Sequence, residues 1–421
     1  MAKIHLKTVV LSGLISAAAI ALPLQAAEIC KGRQESNGGQ EGPPDQPTGG
    51  VGTGGEYVSF AAPSFTRASE SAEPSNSVST DSCGAVVTES GGGLAQDTAM
   101  NLGSKFNALR VISRGIGSDK NSESSTLGGA AGAGDNALLD GSRFSVFSFA
   151  DHVERERKAT ASSGGYEQKN NALTLGFDYR IDDSSFAGMS ISRSDGDSDL
   201  DSQLGGSEVS LTMLGFHGVH YWPEHYVSVL VAYGAMDIDI ARRNAGDSFD
   251  AATNSNYWYG DLTLGTEYQY GALRLSPTIR ALLMTGEIDA YTERSASGAG
   301  TVRSINAQDI DSNLLSLAVQ ADYSLLQSWG VLLPSMRAEF IFDQGDAYKT
   351  NGQTLNDSDK TVIGSISDLS DEPDSSTLAV SLGLSGQFKR GFAAYAVYER
   401  LFLHDYLNKY TATLGVRYEL P

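Results

Sequence analysis

Tyr410, Ala412, Leu414, Val416, Tyr418 and Leu420 are apolar, and Thr411, Thr413, Gly415, Arg417 and Glu419 between them are small or polar. A period of two describes a strand with one apolar and one polar face. Such a strand cannot cover its own apolar face, and an open edge invites pairing, so partners with the same alternation must lie upstream. The pattern recurs back to about Arg143, near 143–152, 172–180, 185–194, 207–221, 225–240, 257–270, 272–285, 313–326, 330–343, 376–388, 391–404 and 410–420. Segments of roughly ten alternating residues are the signature of a membrane barrel, whose closure abolishes edges and turns the apolar face to lipid. The expected fold class is all-β: a twelve-stranded antiparallel transmembrane outer-membrane β-barrel over 143–421.

The connections alternate in length. Short turns fall at Ile181-Asp182-Asp183, Pro223-Glu224, Tyr270-Gly271, Ser328-Trp329 and Lys389-Arg390, and longer Gly/Ser/Asn/Asp-rich loops at 153–171, 195–206, 241–256, 286–312 and 344–375, with only 405–409 short. Short periplasmic turns on one rim and long outer loops on the other explain that alternation. Tyr179, Trp222, Tyr226, Tyr270, Trp329 and Phe388 stand at the short-turn ends and are expected to form the periplasmic aromatic girdle.

The two-residue turn Tyr270-Gly271 predicts a register in which Glu267 faces Arg274 and Asp261 faces Arg280 on the polar, inward side. Pro277, lacking an N–H, requires a bulge or an unpaired carbonyl beside it.

Upstream of the strands the period changes. Leu94, Met100, Leu102, Phe106, Leu109, Val111 and Ile112 recur at helical spacing, and Lys105, Arg110 and Arg114 give this segment a basic side. About twenty helical residues extend about 30 Å, the thickness of a bilayer core, so 94–114 is expected to be a helix within the pore. There Lys105 and Arg110 would face inward carboxylates, with Asp178, Asp261, Glu267, Asp322, Glu339 and Glu399 as candidates. A Gly-rich connector, 115–142, would lead to the first strand. Residues 27–93 are rich in Gly, Ser, Pro and Glu, without either periodicity, and are expected to be a disordered short passenger. Lys3 and Lys7, an apolar run from Val9 to Leu22 and small residues by Ala27 predict a signal peptide over 1–26.

The formal net charge of −21 over 421 residues argues against a nucleic-acid partner. Mean hydropathy is only −0.20, as expected where half of each strand faces water. Cys30 and Cys83, in an exported chain, predict a disulfide; two thiols without nearby His are too few for zinc. No metal or cofactor site is expected. Gly50-Val51-Gly52-Thr53-Gly54-Gly55 matches GxGxxG, but with no strand before it and no helix after it the dinucleotide reading fails. His217 and His220, three apart on a strand, point to opposite faces and cannot share a site.

Residues 171–180 (NALTLGFDYR), the turn after them, 187–192 (AGMSIS), 330–339 (GVLLPSMRAE), Tyr398-Glu399 and 414–418 (LGVRY) together resemble successive strands of the autotransporter β-domain, the translocator of type V secretion. The resemblance covers 143–420. It implies a twelve-stranded barrel with a helix through its pore that exports or displays an N-terminal passenger. Implied partners are outer-membrane lipid and lipopolysaccharide, periplasmic chaperones and the barrel assembly machinery, and the barrel itself is expected to be monomeric. Tyr418 and Leu420 carry the terminal-strand assembly signal, although the family usually ends on an aromatic residue and this chain ends Leu420-Pro421. The passenger is also far shorter than the family's usual β-helices or enzymes. Some relatives release the passenger by cyclisation of an Asn in the pore helix; here Met100 stands at that place, so no such cleavage is expected, and Asn101 reads as an ordinary helix residue. Gly246-Asp247-Ser248 resembles the nucleophile block of lipolytic members but falls in a barrel loop. No catalytic residues are assigned. The alternatives are a passive porin-like channel and a barrel-embedded hydrolase built on His404.

Overall fold

A computed structural model describes residues 91–105, 143–160, 163–201, 204–244, 246–345 and 347–420. The expected signal peptide, the disulfide between Cys30 and Cys83, Phe106, Arg110 and the connector lie outside the described residues.

The described chain begins with a helix, α1, over 91–105. The strands then follow as β1 (Phe144–Arg157), β2 (Tyr166–Arg180), β3 (Ser185–Leu200), β4 (Gly205–Tyr221), β5 (His225–Asn244), β6 (Asp247–Thr266), its continuation β7 (Tyr268–Tyr270), and β8 (Leu273–Ile288). Three short strands, β9 (Tyr291–Thr292), β10 (Arg294–Ser295) and β11 (Thr301–Ile305), precede β12 (Gln308–Tyr323), its continuation β13 (Leu325–Gln327) and β14 (Gly330–Asp343). The remainder are β15 (Lys349–Asn356), β16 (Val362–Leu369), β17 (Thr377–Phe388), β18 (Phe392–Phe402) and β19 (Leu407–Glu419).

Twelve antiparallel strands close on themselves. Each neighbour in sequence pairs in space, β6 continues to β8, and β1 pairs with both β2 and β19, so that Val146 lies opposite Phe177 on one side and Tyr418 on the other. The polarity of the wall is inverted relative to a soluble protein. Leu173, Leu175, Ile191, Leu283 and Leu414 on the outside are 51 to 65% exposed, whereas Thr174, Ser190, Ser192 and Ser276 on the inside are 3% exposed or less. An apolar exterior around a polar interior is stable only with hydrocarbon outside.

The structure corrects the sequence reading in four places. In the β7–β8 hairpin Gln269, not Glu267, lies opposite Arg274, and Thr263, not Asp261, lies opposite Arg280. The loop is Gly271-Ala272, with Gly271 at φ 62°, the first-position glycine of a type II′ turn. The shift is by two residues, so each side chain keeps its face. Strand pairing is interrupted at Glu267, beside Thr266 and opposite the stretch around Pro277, where a proline nitrogen has no hydrogen to give.

Second, Tyr226 leaves the girdle: it is 1% exposed and turns inward, because Val229 and Val231 take the outer face of β5. Trp222, Tyr270, Trp329 and Phe388 do face outward near the short-turn rim, with Trp329 and Phe388 stacked at 5.0 Å.

Third, several expected loops are strand. β5 and β6 run on to Asn244 and Asp247, so 241–256 is a hairpin tip, and 195–206 is mostly β3 and β4. Residues 286–312 and 344–375 contribute a separate four-stranded sheet in the order β16, β15, β11, β9. Asn, Ser and Asp suggested loops there, but beyond the bilayer both faces of a hairpin meet water or polar neighbours, and apolar alternation is no longer required. Fourth, α1 extends ahead of Leu94 and includes the glycine triplet 91–93.

Candidate functional site

The lumen is filled by α1. Leu94, Ala95, Ala99 and Leu102 are all 1% exposed or less, a helix covered on every side rather than along one stripe. Its N-terminal end lies at the long-loop rim. A Cβ placed on Gly91 would meet Ile238 and Ile288 near the outer ends of β5 and β8, and one on Gly92 would meet Ile310 at the start of β12. Further along, Gly103 lies against Asp261 and Arg280, and Lys105 against Asp151, all deeper in the wall.

Glycine is a poor helix former, so the triplet 91–93 needs a reason. At Gly93 a Cβ would sit 1.9 Å from Arg155 Nη1 and 2.8 Å from its Cζ, and at Gly103 one would sit 2.3 Å from Arg280 Nη2. Close approach of the helix backbone to wall arginines is what these positions permit.

Charge fixes the helix in place. Asp97, 2% exposed, accepts from Arg155 Nη2 of β1 at 2.8 Å and from Lys409 Nζ of β19 at 2.5 Å. Lys105, 4% exposed, pairs with Asp151 of β1 and lies over the Phe149 ring. Asp151 also accepts from Thr413 Oγ1 at 2.7 Å. Gln96 donates to Ser312 of β12, and Arg280 of β8 donates to the Met100 carbonyl. Each buried charge therefore has an opposite partner, the condition under which burial is tolerated.

Of the expected residues, Asp261 and Arg280 meet, Oδ2 to Nε at 2.5 Å, diagonally rather than face to face, with Tyr259 and Thr263 donating to the same carboxylate. Arg274 instead pairs with Asp322 at 3.4 Å. Asp178 and Glu339 line the lumen, beside His217 and Arg337 respectively. Tyr418 lies on the outer face of β19, and Leu420 donates its N–H to the Phe144 carbonyl. Asp97, Asp151, Arg155 and Lys409 escaped the sequence reading. Phe144 and Val146 alternate with Phe147 and Phe149, so the start of β1 carries aromatic or aliphatic residues on both faces and hides which side Asp151 takes.

Between α1 and the β12–β19 side of the wall lies a cavity of about 90 Å³ lined by residues including Met100, Glu399 and His404. His404 lies in the β18–β19 loop, Nδ1 2.7 Å from Asp374 Oδ2; burial pushes its imidazole below the ordinary value against the pull of that carboxylate. Neither serine nor cysteine is among the described residues lining this cavity. Asp247 of the Gly246-Asp247-Ser248 stretch accepts from the Ser295 and Ser297 hydroxyls, which ties the β5–β6 tip to the neighbouring loop. Among the described residues no group of His, Cys, Asp and Glu is arranged to hold a metal ion. What the site does is seat a charged helix in a closed barrel, with its N-terminal end toward the outer rim.

A model of the autotransporter beta-domain matches residues 146–399. The translocator domain of the autotransporter NalP from Neisseria meningitidis is similar in structure, at a TM-score of 0.54 and 15% identity over 77% of this chain and 98% of that domain. The beta domain of the Bordetella autotransporter BrkA covers 66% of this chain with all of its own length, at a TM-score of 0.49 and 14% identity. The uncharacterised Escherichia coli K12 protein YaiT is 25% identical over 262 residues, 60% of this chain; the match spans only 25% of that relative's length.

Proposed function

Because the chain belongs to the autotransporter β-domain family, an outer-membrane translocator barrel, we propose that its cargo is its own segment upstream of α1, carried through the barrel and displayed on the long-loop side. The observation that supports this reading is the direction of α1. The chain is inside the lumen at Lys105 and at the outer rim at Gly91, on the side opposite the short turns, which is the direction of export this reading requires. The paired charges of Asp97 and Lys105 hold that threaded state.

In this reading Tyr418 and Leu420, on the last strand beside β1, present the assembly signal to the barrel assembly machinery, and periplasmic chaperones and outer-membrane lipid with lipopolysaccharide are the remaining partners. The ring closes within one chain, so a single copy suffices to make it. The test is an epitope tag at Gly50 probed with protease on intact cells. Cleavage of the tag with the barrel intact is the expected result; full protection until the cells are lysed would refute surface display.

A further inference from the structure

On the lipid-facing wall near the short-turn rim, a groove of about 650 Å³ crosses β6, β8, β12 and β14. Its floor is one row of short outward side chains, Thr266, Pro277, Val319 and Ala338, flanked toward the bilayer centre by larger ones such as Ile279 and Phe340. It opens at the rim beside Trp222 and His225, the first residue of β5, and ends well inside β14 at Ala338. The same floor contains a gap in the hydrogen-bond ladder. The Glu267 N–H donates to the Glu224 carbonyl at 2.9 Å, toward β5, so the carbonyl of Thr266, one residue earlier, points the other way, toward β8. Gly265 lies opposite Thr278 and Tyr268 opposite Leu275, which sets Thr266 opposite Pro277. On the far side of β8 the Ser324 N–H donates to the Ala272 carbonyl at 2.8 Å, so the even-numbered residues of β8 bond toward β12 and Pro277 turns its nitrogen to β6. That nitrogen carries no hydrogen. The ladder thus leaves the Thr266 carbonyl without a donor at an apolar surface, where an unmade hydrogen bond is costly.

We propose that this groove binds one aminophospholipid of the periplasmic leaflet, with an acyl chain along the floor and the headgroup ammonium donating to the Thr266 carbonyl. Three features select that occupant. The groove is continuous with the outward apolar face, where Leu264, Ile279, Val319 and Phe340 are 49 to 52% exposed, so what fills it is hydrocarbon. Its open end lies at the level of Trp222 and Tyr270, where interfacial aromatic rings meet headgroups, so the chain enters from the leaflet on the short-turn side. The polar atom in its floor is an acceptor. A primary ammonium brings N–H donors to it, and such charge-assisted bonds are the stronger kind. A quaternary ammonium has no N–H to give. His225 lies opposite Thr266 on β5, at the same level, and offers a ring N–H to the phosphodiester. The site therefore distinguishes lipids by headgroup, where an ordinary stretch of barrel wall distinguishes them only by thickness.

The test uses the full chain carrying Trp258→Phe and Trp329→Phe, which leaves Trp222 as its one indole. It is folded into vesicles of phosphatidylethanolamine and phosphatidylcholine in equal parts, with bromine, a contact quencher, on the acyl chains of one lipid or the other. Brominated phosphatidylethanolamine is expected to quench Trp222 the more strongly, with a preference of about tenfold, the worth of one hydrogen bond to a charged group. Pro277→Ala restores the missing N–H and is expected to bring the ratio to that of the bulk lipid, and Ala338→Phe, which fills the inner end of the groove, to reduce it. Equal quenching by the two lipids would mean that water serves the carbonyl, and would overturn the proposal. So would a preference that survives Pro277→Ala, or a dimer in which neither lipid reaches Trp222, since a second copy would then cover the groove. Where the tryptophan variants fail to assemble, mass spectrometry of the detergent-extracted chain decides. One retained aminophospholipid per chain, lost in Pro277→Ala, is expected; none retained, or the same amount in both chains, would overturn the proposal.

Discussion

Asp97 is the residue on which most of the helix–wall contact converges. Arg155 and Lys409 approach it from β1 and β19, the two strands whose pairing closes the barrel. Its replacement by Asn keeps the volume but leaves two buried cations facing a neutral amide. Breaking a buried pair in this way costs about 3–5 kcal/mol. We expect Asp97→Asn to loosen α1, read as faster amide exchange over 94–104, while Asp97→Glu retains part of the protection. A second residue-scale device is the aromatic ring laid over a glycine of the adjacent strand: Tyr226 over Gly265, Tyr257 over Gly234, Tyr395 over Gly415. At Gly415 a Cβ would lie 2.3 Å from the Tyr395 ring. Gly415→Val should therefore cost about 1–3 kcal/mol by overpacking, seen as a lower temperature for loss of the compact, heat-modifiable form; Tyr395→Ala in the same chain should recover part of it.

Among the elements, the outer hairpins divide what was legible from what was not. Within the bilayer the period of two has a physical cause, and the sequence located all twelve spans. Beyond it that cause disappears, which is why β15 and β16, built from residues such as Asn351, Gly352, Ser365 and Ser367, passed for loop. The turn that joins them is held by short-range polar contacts: Lys360 pairs with Asp357, and the Thr361 N–H donates to Asp359 at 3.1 Å. Both carboxyls are pulled below the ordinary aspartate value, Asp357 by the Lys360 ammonium and Asp359 by the Thr361 N–H. A depressed folded value means that the contribution is complete above the unfolded value, about 3.9, and drains away as pH falls through the lower folded one. Carboxyl carbon titrations should place both midpoints below that value, with the turn loosening only under such acid conditions. Midpoints at or above it would contradict the turn geometry.

The whole molecule is a closed wall and a filled lumen, and these were not equally visible in advance. Closure follows from alternation, because a terminal strand with one apolar face must find an edge, and β1 supplies it. The helix followed from a change of period at Leu94, yet its glycine turn did not, since Gly91 to Gly93 read as linker until Ile238, Ile310 and Arg155, which lie against them in turn, are known. The ion pair between Asp261 and Arg280 was legible as chemistry but not as register, because two registers a pair apart leave the same faces inward. If the helix is what occupies the pore, its removal has one consequence that a structural ornament would not produce. Deleting residues 91–105 while keeping β1 to β19 leaves Asp151, Arg155 and Lys409 lining an aqueous path. In planar bilayers the full chain should be nearly silent and the deletion should conduct steadily. The folded barrel of the deletion should still migrate as a compact, heat-modifiable species, which separates an opened pore from a wall that failed to form. Equal conductance in the two chains would mean that α1 does not govern the lumen, and would favour a passive channel over a translocator held closed by its own chain.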